Sequence, residues 1–152
     1  MKFRPAIQSD IPDLIKMLVD DDLGKLREDS AEIIGDHYLN AFDHIDSDPN
    51  NELVVAEKGN EVVGMLQLTF IPYLTHRGSW RCLIEGVRIA RSHRGKGYGH
   101  QLFEWAISRA KERKCLIVQL TSDKQRADAL RFYESLGFQA THEGFKLKLP
   151  QT

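Results

Sequence analysis

Residues 87–102 read VRIARSHRGKGYGHQL, and no other stretch of the chain restricts its fold as tightly. The stretch opens apolar and β-branched, as a strand does. Its middle is basic and sets Gly95, Gly97 and Gly99 at alternate positions. It leads into Leu102, Phe103, Ala106, Ile107 and Ala110, which recur at helical spacing. A strand, a glycine loop and a helix in that order make an anion site. Glycines let the backbone approach a ligand closely, and the first-turn N–H groups of a helix have no intrahelical partner. The helix dipole adds roughly half a positive charge at that end. Phosphate oxygens fit there.

The spacing decides between phosphate motifs. A P-loop needs G-x-x-x-x-G-K-[ST], and no lysine followed by Ser or Thr is so placed. In a dinucleotide fingerprint, G-x-G-x-x-G, the third glycine comes one residue later than it does here. The pattern present is R-x-x-G-x-G, Arg94 to Gly99, after a V-x-I strand. It resembles the acetyl-CoA signature of the GNAT superfamily of N-acetyltransferases. In that family the loop amides hold the CoA pyrophosphate, and the preceding strand's backbone pairs with the pantetheine arm. The resemblance implies acetyl-CoA as co-substrate, held by Val87, Arg88 and Ile89 on the strand. The loop would contribute Arg94, Gly95, Lys96, Gly97, Tyr98, Gly99 and His100. The plainer alternative is a glycine-rich turn with solvated basic residues. The flanking strand and helix, together with a second motif at residues 129–138, weigh against it.

Composition excludes several other classes. A chain of 152 residues suits one domain, residues 1–152, with a substantial core. Net charge of −1 argues against a dedicated nucleic-acid binder, because the basic cluster at residues 91–96 is local. It suits a small polyanion better than a duplex. Cys82 and Cys115 sit in apolar contexts and read as reduced core residues of a cytoplasmic protein. No metal-ligand spacing appears among the histidines, no signal peptide opens the chain, and no apolar run is long enough to cross a bilayer.

Periodicity along the chain predicts the order β-α-α-β-β-β-α-β-α-β-β, an α/β fold with a mixed, mostly antiparallel sheet flanked by helices. Residues 3–6 read as a first strand, with Ser9 or Asp10 capping a helix that buries Ile11, Leu14, Ile15, Leu18 and Val19. Asp20, Asp21 and Asp22 read as a solvated helix end, or as an attractant for a cationic acceptor. A second helix is expected over 30–45, strands over 52–57, 62–71 and 80–89, and the central helix over 97–113. A strand over 115–121, a helix over 126–136 and final strands over 138–141 and 145–149 complete the order, which is also that of the GNAT fold.

The second motif, A-x-x-F-Y-x-x-x-G-F from Ala129 to Phe138, also matches that family. Ala129, Phe132, Tyr133 and Leu136 form a helical stripe that Gly137 terminates. An aromatic at this spacing usually packs. The resemblance implies instead that Tyr133 protonates the leaving thiolate, with Phe132 and Phe138 packing. Arg126 stands where many members carry an Asn that touches the pantetheine or phosphate arm. It either pairs with a CoA phosphate or stands solvated on a first helical turn.

The implied reaction moves an acetyl group from a thioester to an amine. An alkylammonium with a pKa of about 10.4 must first lose a proton. The carbonyl oxygen then gains charge that a backbone N–H can stabilise, and the thiolate leaves with a donated proton. Glu85, alone among apolar strand residues, is the candidate base. The structural alternative is an ion pair with Arg81 or Arg88. Gly86 allows the bulge with which the family splays its strands, and the Val87 amide is the candidate oxyanion donor. Without that bulge, Glu85 and Val87 share a face. The loop at residues 73–80 should rim the acceptor pocket, with His76 or Arg77 available for an acidic group. Glu61-Val62-Val63-Gly64-Met65 and residues 128–133 resemble the small-amine branch, which includes the aminoalkylphosphonate acetyltransferases. The expected acceptor is a small primary amine. The alternatives are a protein or peptide N-acetyltransferase and a non-catalytic acyl-CoA-binding module. Dimers are common in the family, and no feature of the sequence specifies an interface.

Overall fold

Strand alternation sets the architecture, with register shifts at Ala56/Glu57 and at Met65/Gln67. The computed structural model describes residues 1–29, 34–126 and 128–151. Two compact units divide the chain, Met1–Leu120 and Thr121–Thr152.

The first unit holds β1 (Lys2–Pro5), α1 (Ile11–Val19), α2 (Asp36–Ser47), β2 (Asn51–Lys58), β3 (Glu61–Pro72), β4 (Trp80–Ile89), α3 (Tyr98–Glu112) and β5 (Ile117–Gln119). The strands form one five-stranded sheet in the order β1-β2-β3-β4-β5. All neighbours are antiparallel except β4 and β5, which run parallel. The expected strands and central helix of this unit lie within a residue of their predicted bounds, except that the strand expected over 115–121 is confined to Ile117–Gln119. The helix expected over 30–45 is found as α2 from Asp36. Its predicted start at 30–33 lies outside the described residues.

The two faces of the sheet differ. One carries Val54, Ala56, Leu66, Leu68, Phe70, Cys82 and Ile84, all buried. Helix α3 packs on β3 and β4 and buries Leu102, Phe103, Ala106 and Ala110. Arg113, just beyond α3, lies with its guanidinium 4.0 Å from the Phe70 ring centroid. The other face is covered in part by α1 and α2. Ile11, Leu14, Ile15 and Phe42 pack there against Val55 and Met65.

Asp10 occupies the N-cap position of α1 without capping it. Its buried carboxylate instead accepts the Ile7 N–H at 2.8 Å and two bonds from Arg4 at 2.7 and 2.9 Å. Arg4 also donates to Glu57 at 2.7 Å, which ties β1 to β2 and to the start of α1.

The second unit contains α4 (Ala129–Ser135), which starts three residues later than expected; residue 127 lies outside the described residues. The strands expected over 138–141 and 145–149 are not formed, since residues 138–151 carry no regular secondary structure. Alternation of Phe145, Leu147 and Leu149 specifies which face of a strand is apolar. It does not specify a partner, and a strand exists only by its ladder.

Candidate acyl-carrier site

The bulge in β4 comes first. Glu85 pairs with Gln67 and Arg88 with Met65, so β4 spends Gly86 and Val87 where β3 spends Leu66 alone. Gly86 has φ +63, which glycine adopts without steric cost. Beyond the bulge the alternation resets, so Glu85 and Val87 do not share a face as a regular strand would require. Neither Gly86 nor Val87 has a register partner on β3.

The second feature is the other edge of β4. Pairing with β5 begins at Arg81↔Ile117 and ends at Leu83↔Gln119. From Ile84 to Ile89, β4 has no neighbour on that side among the described residues. The sheet opens there, and main-chain groups line the opening.

The third feature closes the top. Ala90 N–H returns to Val63 O at 2.8 Å. A 3₁₀ turn, Arg91–His93, then leads into Gly95 and Gly97, with φ of +76 and +81. Gly97 is the N-cap of α3 and offers no side chain to satisfy the first-turn N–H groups. Tyr98, buried, is held by Lys58, whose ammonium donates to the Tyr98 hydroxyl and lies 5.1 Å from its ring centroid. The His93 ring lies tilted beside the same ring, 6.1 Å between centroids, and 3.7 Å from Glu61. The β2–β3 hairpin thus buttresses the glycine loop.

Two of the three acids in the run after α1 are paired with the loop arginines and β4 rather than left solvated. Asp20 binds Arg91 at 2.6 and 3.1 Å, and Arg94 lies 3.8 Å away. Asp21 accepts the Gly24 N–H at 2.9 Å and lies 3.6 Å from Arg88. Only Asp22 has a fully exposed side chain. Arg94 also donates to Ile89 O and Asp20 O, both at 3.1 Å, and so braces the loop. Lys96 is exposed. Sequence reasoning missed these partners. The one available signal was the opposite charge of two runs some 70 residues apart.

Glu85 is exposed and makes no ion pair among the described residues. Arg81 contacts Gln119 and Tyr73 instead, and Arg88 faces Asp21. At residues 75–78 the loop before β4 turns through left-handed His76 (φ 52) and Arg77 (φ 61), both exposed. Cys82 is a fully buried free thiol, and burial pushes its pKa up to about 12. Burial also raises that of Cys115. Among the described residues no cluster of three or more His, Cys, Asp or Glu could hold a metal, and no helix is long and apolar enough to cross a membrane. A cavity of about 310 Å³ lies elsewhere, between Phe3, Phe42 and Trp105. Its Arg109 is already bound to Glu52 and Glu112, both at 2.9 Å.

In the second unit, Tyr133 is half-buried on α4, edge-on to Phe132 (5.5 Å, 68°) and Phe138 (6.1 Å, 76°). Gly137, φ +95, ends the helix as expected. Arg126 lies before α4, its N–H on Asp123 O at 3.0 Å.

An opened strand edge thus leads through a glycine loop to an uncapped helix. The chain belongs to the acetyltransferase (GNAT) family, whose model matches residues 16–138. A crystal structure of a transcriptional regulator from Bacillus halodurans C-125 is 55% identical, with a TM-score of 0.94 over 97% of this chain and 99% of that one. The aminoalkylphosphonate N-acetyltransferase of Salmonella typhimurium is 32% identical over 64% of this chain and 63% of its own length. For the streptothricin acetyltransferase of Escherichia coli the figures are 30%, 61% and 50%. The matched part of this chain thus spans less than two thirds of each curated relative.

Proposed function

We propose that this chain is a cytoplasmic acetyl-CoA-dependent N-acetyltransferase acting, as one catalytic domain, on the primary amine of a small molecule. The observation that carries the reading is the opened edge of β4 at residues 84–89 leading into the glycine loop and the uncapped start of α3. The main chain at Val87, Arg88 and Ile89 takes the pantetheine arm as a strand takes a neighbour. The amides from Arg94 to His100 take the diphosphate, with Arg126 a further phosphate ligand. When bound, acetyl-CoA supplies the activated acyl group.

Glu85, exposed and without an ion pair among the described residues, accepts the proton of the acceptor ammonium. The Val87 amide, released from the β3 register by the bulge, donates to the carbonyl oxygen as charge grows there. Tyr133 returns a proton to the sulfur. The names of the curated relatives, both acetyltransferases of amine-bearing small molecules, support the substrate class. The free thiols fit a reducing compartment.

A second reading is a non-catalytic acyl-CoA-responsive module. It is favoured by the description of the 55% identical structure as a transcriptional regulator. One experiment separates the two. Calorimetry with acetyl-CoA and free CoA is followed by an amine panel in which released thiol is measured. Binding with amine-dependent thiol release supports the enzyme. Binding without release for any amine, indifferent to replacement of Glu85, supports the module. Absence of heat with either coenzyme refutes both.

A further inference from the structure

The face of the sheet under α1 and α2 changes character along its rows. Beneath the helices it presents Leu53, Val55 and Met65. Farther along the same rows come Asn51, Gln67 and Thr69, and on β4 Arg81, Leu83 and Glu85. Thr69 and Gln67 both donate to Asn51 Oδ1, at 2.8 and 3.3 Å. The floor is therefore polar, half-buried and already ordered. Leu83 is its apolar strip between the guanidinium of Arg81 and the carboxylate of Glu85.

Arg81 is the member without an explanation in the fold. It is half-buried, yet it makes no ion pair among the described residues. Its guanidinium lies 4.2 Å from the Tyr73 ring centroid, which fixes its plane. Nη1 donates to Gln119 Oε1 at 3.0 Å, which fixes its rotation. Nε is buried and has no acceptor. Nη2 also meets none among the described residues. The Nε–Nη2 edge is the one that grips two oxygens of a carboxylate or phosphonate side by side. A buried N–H without an acceptor opposes folding, and an arginine oriented by two neighbours with no acceptor on that edge is arranged for an anion.

We propose that Arg81 binds an oxyanion carried by the acceptor, so that the preferred substrates are small amines bearing a carboxylate or phosphonate. The ammonium sits at Glu85, the acid at Arg81, and the carbon chain crosses Leu83. The two charged residues are four apart on one face, about 13 Å between Cα atoms. Hydrogen bonds of about 3 Å at each end take up part of that gap and leave a spacer of a few carbons. The proposal rests on the N-acetyltransferase reading above.

The test compares kcat/KM for 3-aminopropylphosphonate with propylamine, and for 4-aminobutyrate with butylamine, in the native protein, Arg81→Gln and Arg81→Lys. Calorimetry with propylphosphonate, which has no amine to acetylate, runs alongside. The native protein should favour at least one acid-bearing amine by roughly tenfold or more. Arg81→Gln should erase that preference and weaken propylphosphonate binding by a similar factor. Arg81→Lys, which keeps the charge and loses the fork, should restore part of it. If Arg81→Gln does not fold, Tyr73→Leu and Arg81→Lys still report, each with a reduced preference. Acetylation with no preference for the acid, or a preference intact in Arg81→Gln, overturns the proposal and leaves the enzyme reading standing. Propylphosphonate binding that depends on Arg81, in a protein that acetylates no amine, supports the subsite and removes the enzyme reading.

Discussion

Replacement of Gly86 tests whether the β4 bulge is held by the rest of the sheet or by glycine itself. A Cβ at Gly86 meets no atom within 4 Å, so any penalty comes from its φ of +63 alone. For alanine the left-handed region costs about 1–2 kcal/mol. The chain has one escape, which is to remove the bulge and slip β4 by a residue, and that slip exchanges the two faces of residues 80–85. Ile84, 3% exposed, and Cys82, 0% exposed, would then leave the core. Loss of Ile84 burial alone costs about 1.5–3 kcal/mol. Glu85 and Arg81 would enter the apolar layer beneath α3 at several kcal/mol more. The slip therefore costs more than twice the strain, and the bulge stays. Gly86→Ala should fold with a loss of about 1–2 kcal/mol, or roughly 2–8 °C in Tm. Gly86→Asn should lose less, because asparagine tolerates that region. Gly86→Val should lose more. Urea unfolding of the series measures this directly. A loss above about 4 kcal/mol for alanine, or asparagine ranking below alanine, would refute the account of what fixes the bulge.

Other expectations concern the site and the core. Glu85→Gln should lower kcat roughly 10²–10⁴-fold at neutral pH while calorimetric affinity for acetyl-CoA stays nearly unchanged; lost binding with unchanged turnover at saturation would contradict its role as base. The Asp10 carboxyl is held below the usual carboxylate range by its bonds from Arg4. A depressed folded pKa contributes stability that is present above about pH 4 and lost as pH falls through the lower folded value. Asp10→Asn should therefore cost about 2 kcal/mol at pH 7, a gap that closes in acid unfolding below pH ~4 and that must not widen there. Cys82, buried and shifted up to about 12, should react with an aromatic disulfide at pH 8 only as fast as the protein opens. Labelling of both cysteines within the mixing time of the native protein would show that the core is open.

What could be read from the chain alone follows the range of the interactions. The glycine loop, the start of α3 and the bulge at Gly86 are set by residues adjacent in sequence, and each lies where the sequence indicates. The ion pairs of Asp20 with Arg91 and Arg94 join residues 71 and 74 apart, and no local pattern encodes them. Arg81 was visible only as a possible partner for Glu85. Its setting against Tyr73 and Gln119 needs β3, β4 and β5 to be assembled first. The absent strands beyond residue 137 have the same origin, because alternation identifies an apolar side and leaves the choice of neighbour to the tertiary fold.

The unpaired edge of β4 also bears on how a protein of this kind can vary. A slot walled by peptide groups presents nearly the same donors and acceptors whichever side chains hang from it, provided those residues stay extended. Positions 87–89 can therefore exchange one strand-forming residue for another and still offer the same wall. The rows through Arg81, Leu83 and Glu85 are the reverse case: there each side chain is itself the recognition surface. On the proposed reading, one strand thus carries a part that presents its main chain and a part that presents its side chains, so that diversification at one end need not disturb the other.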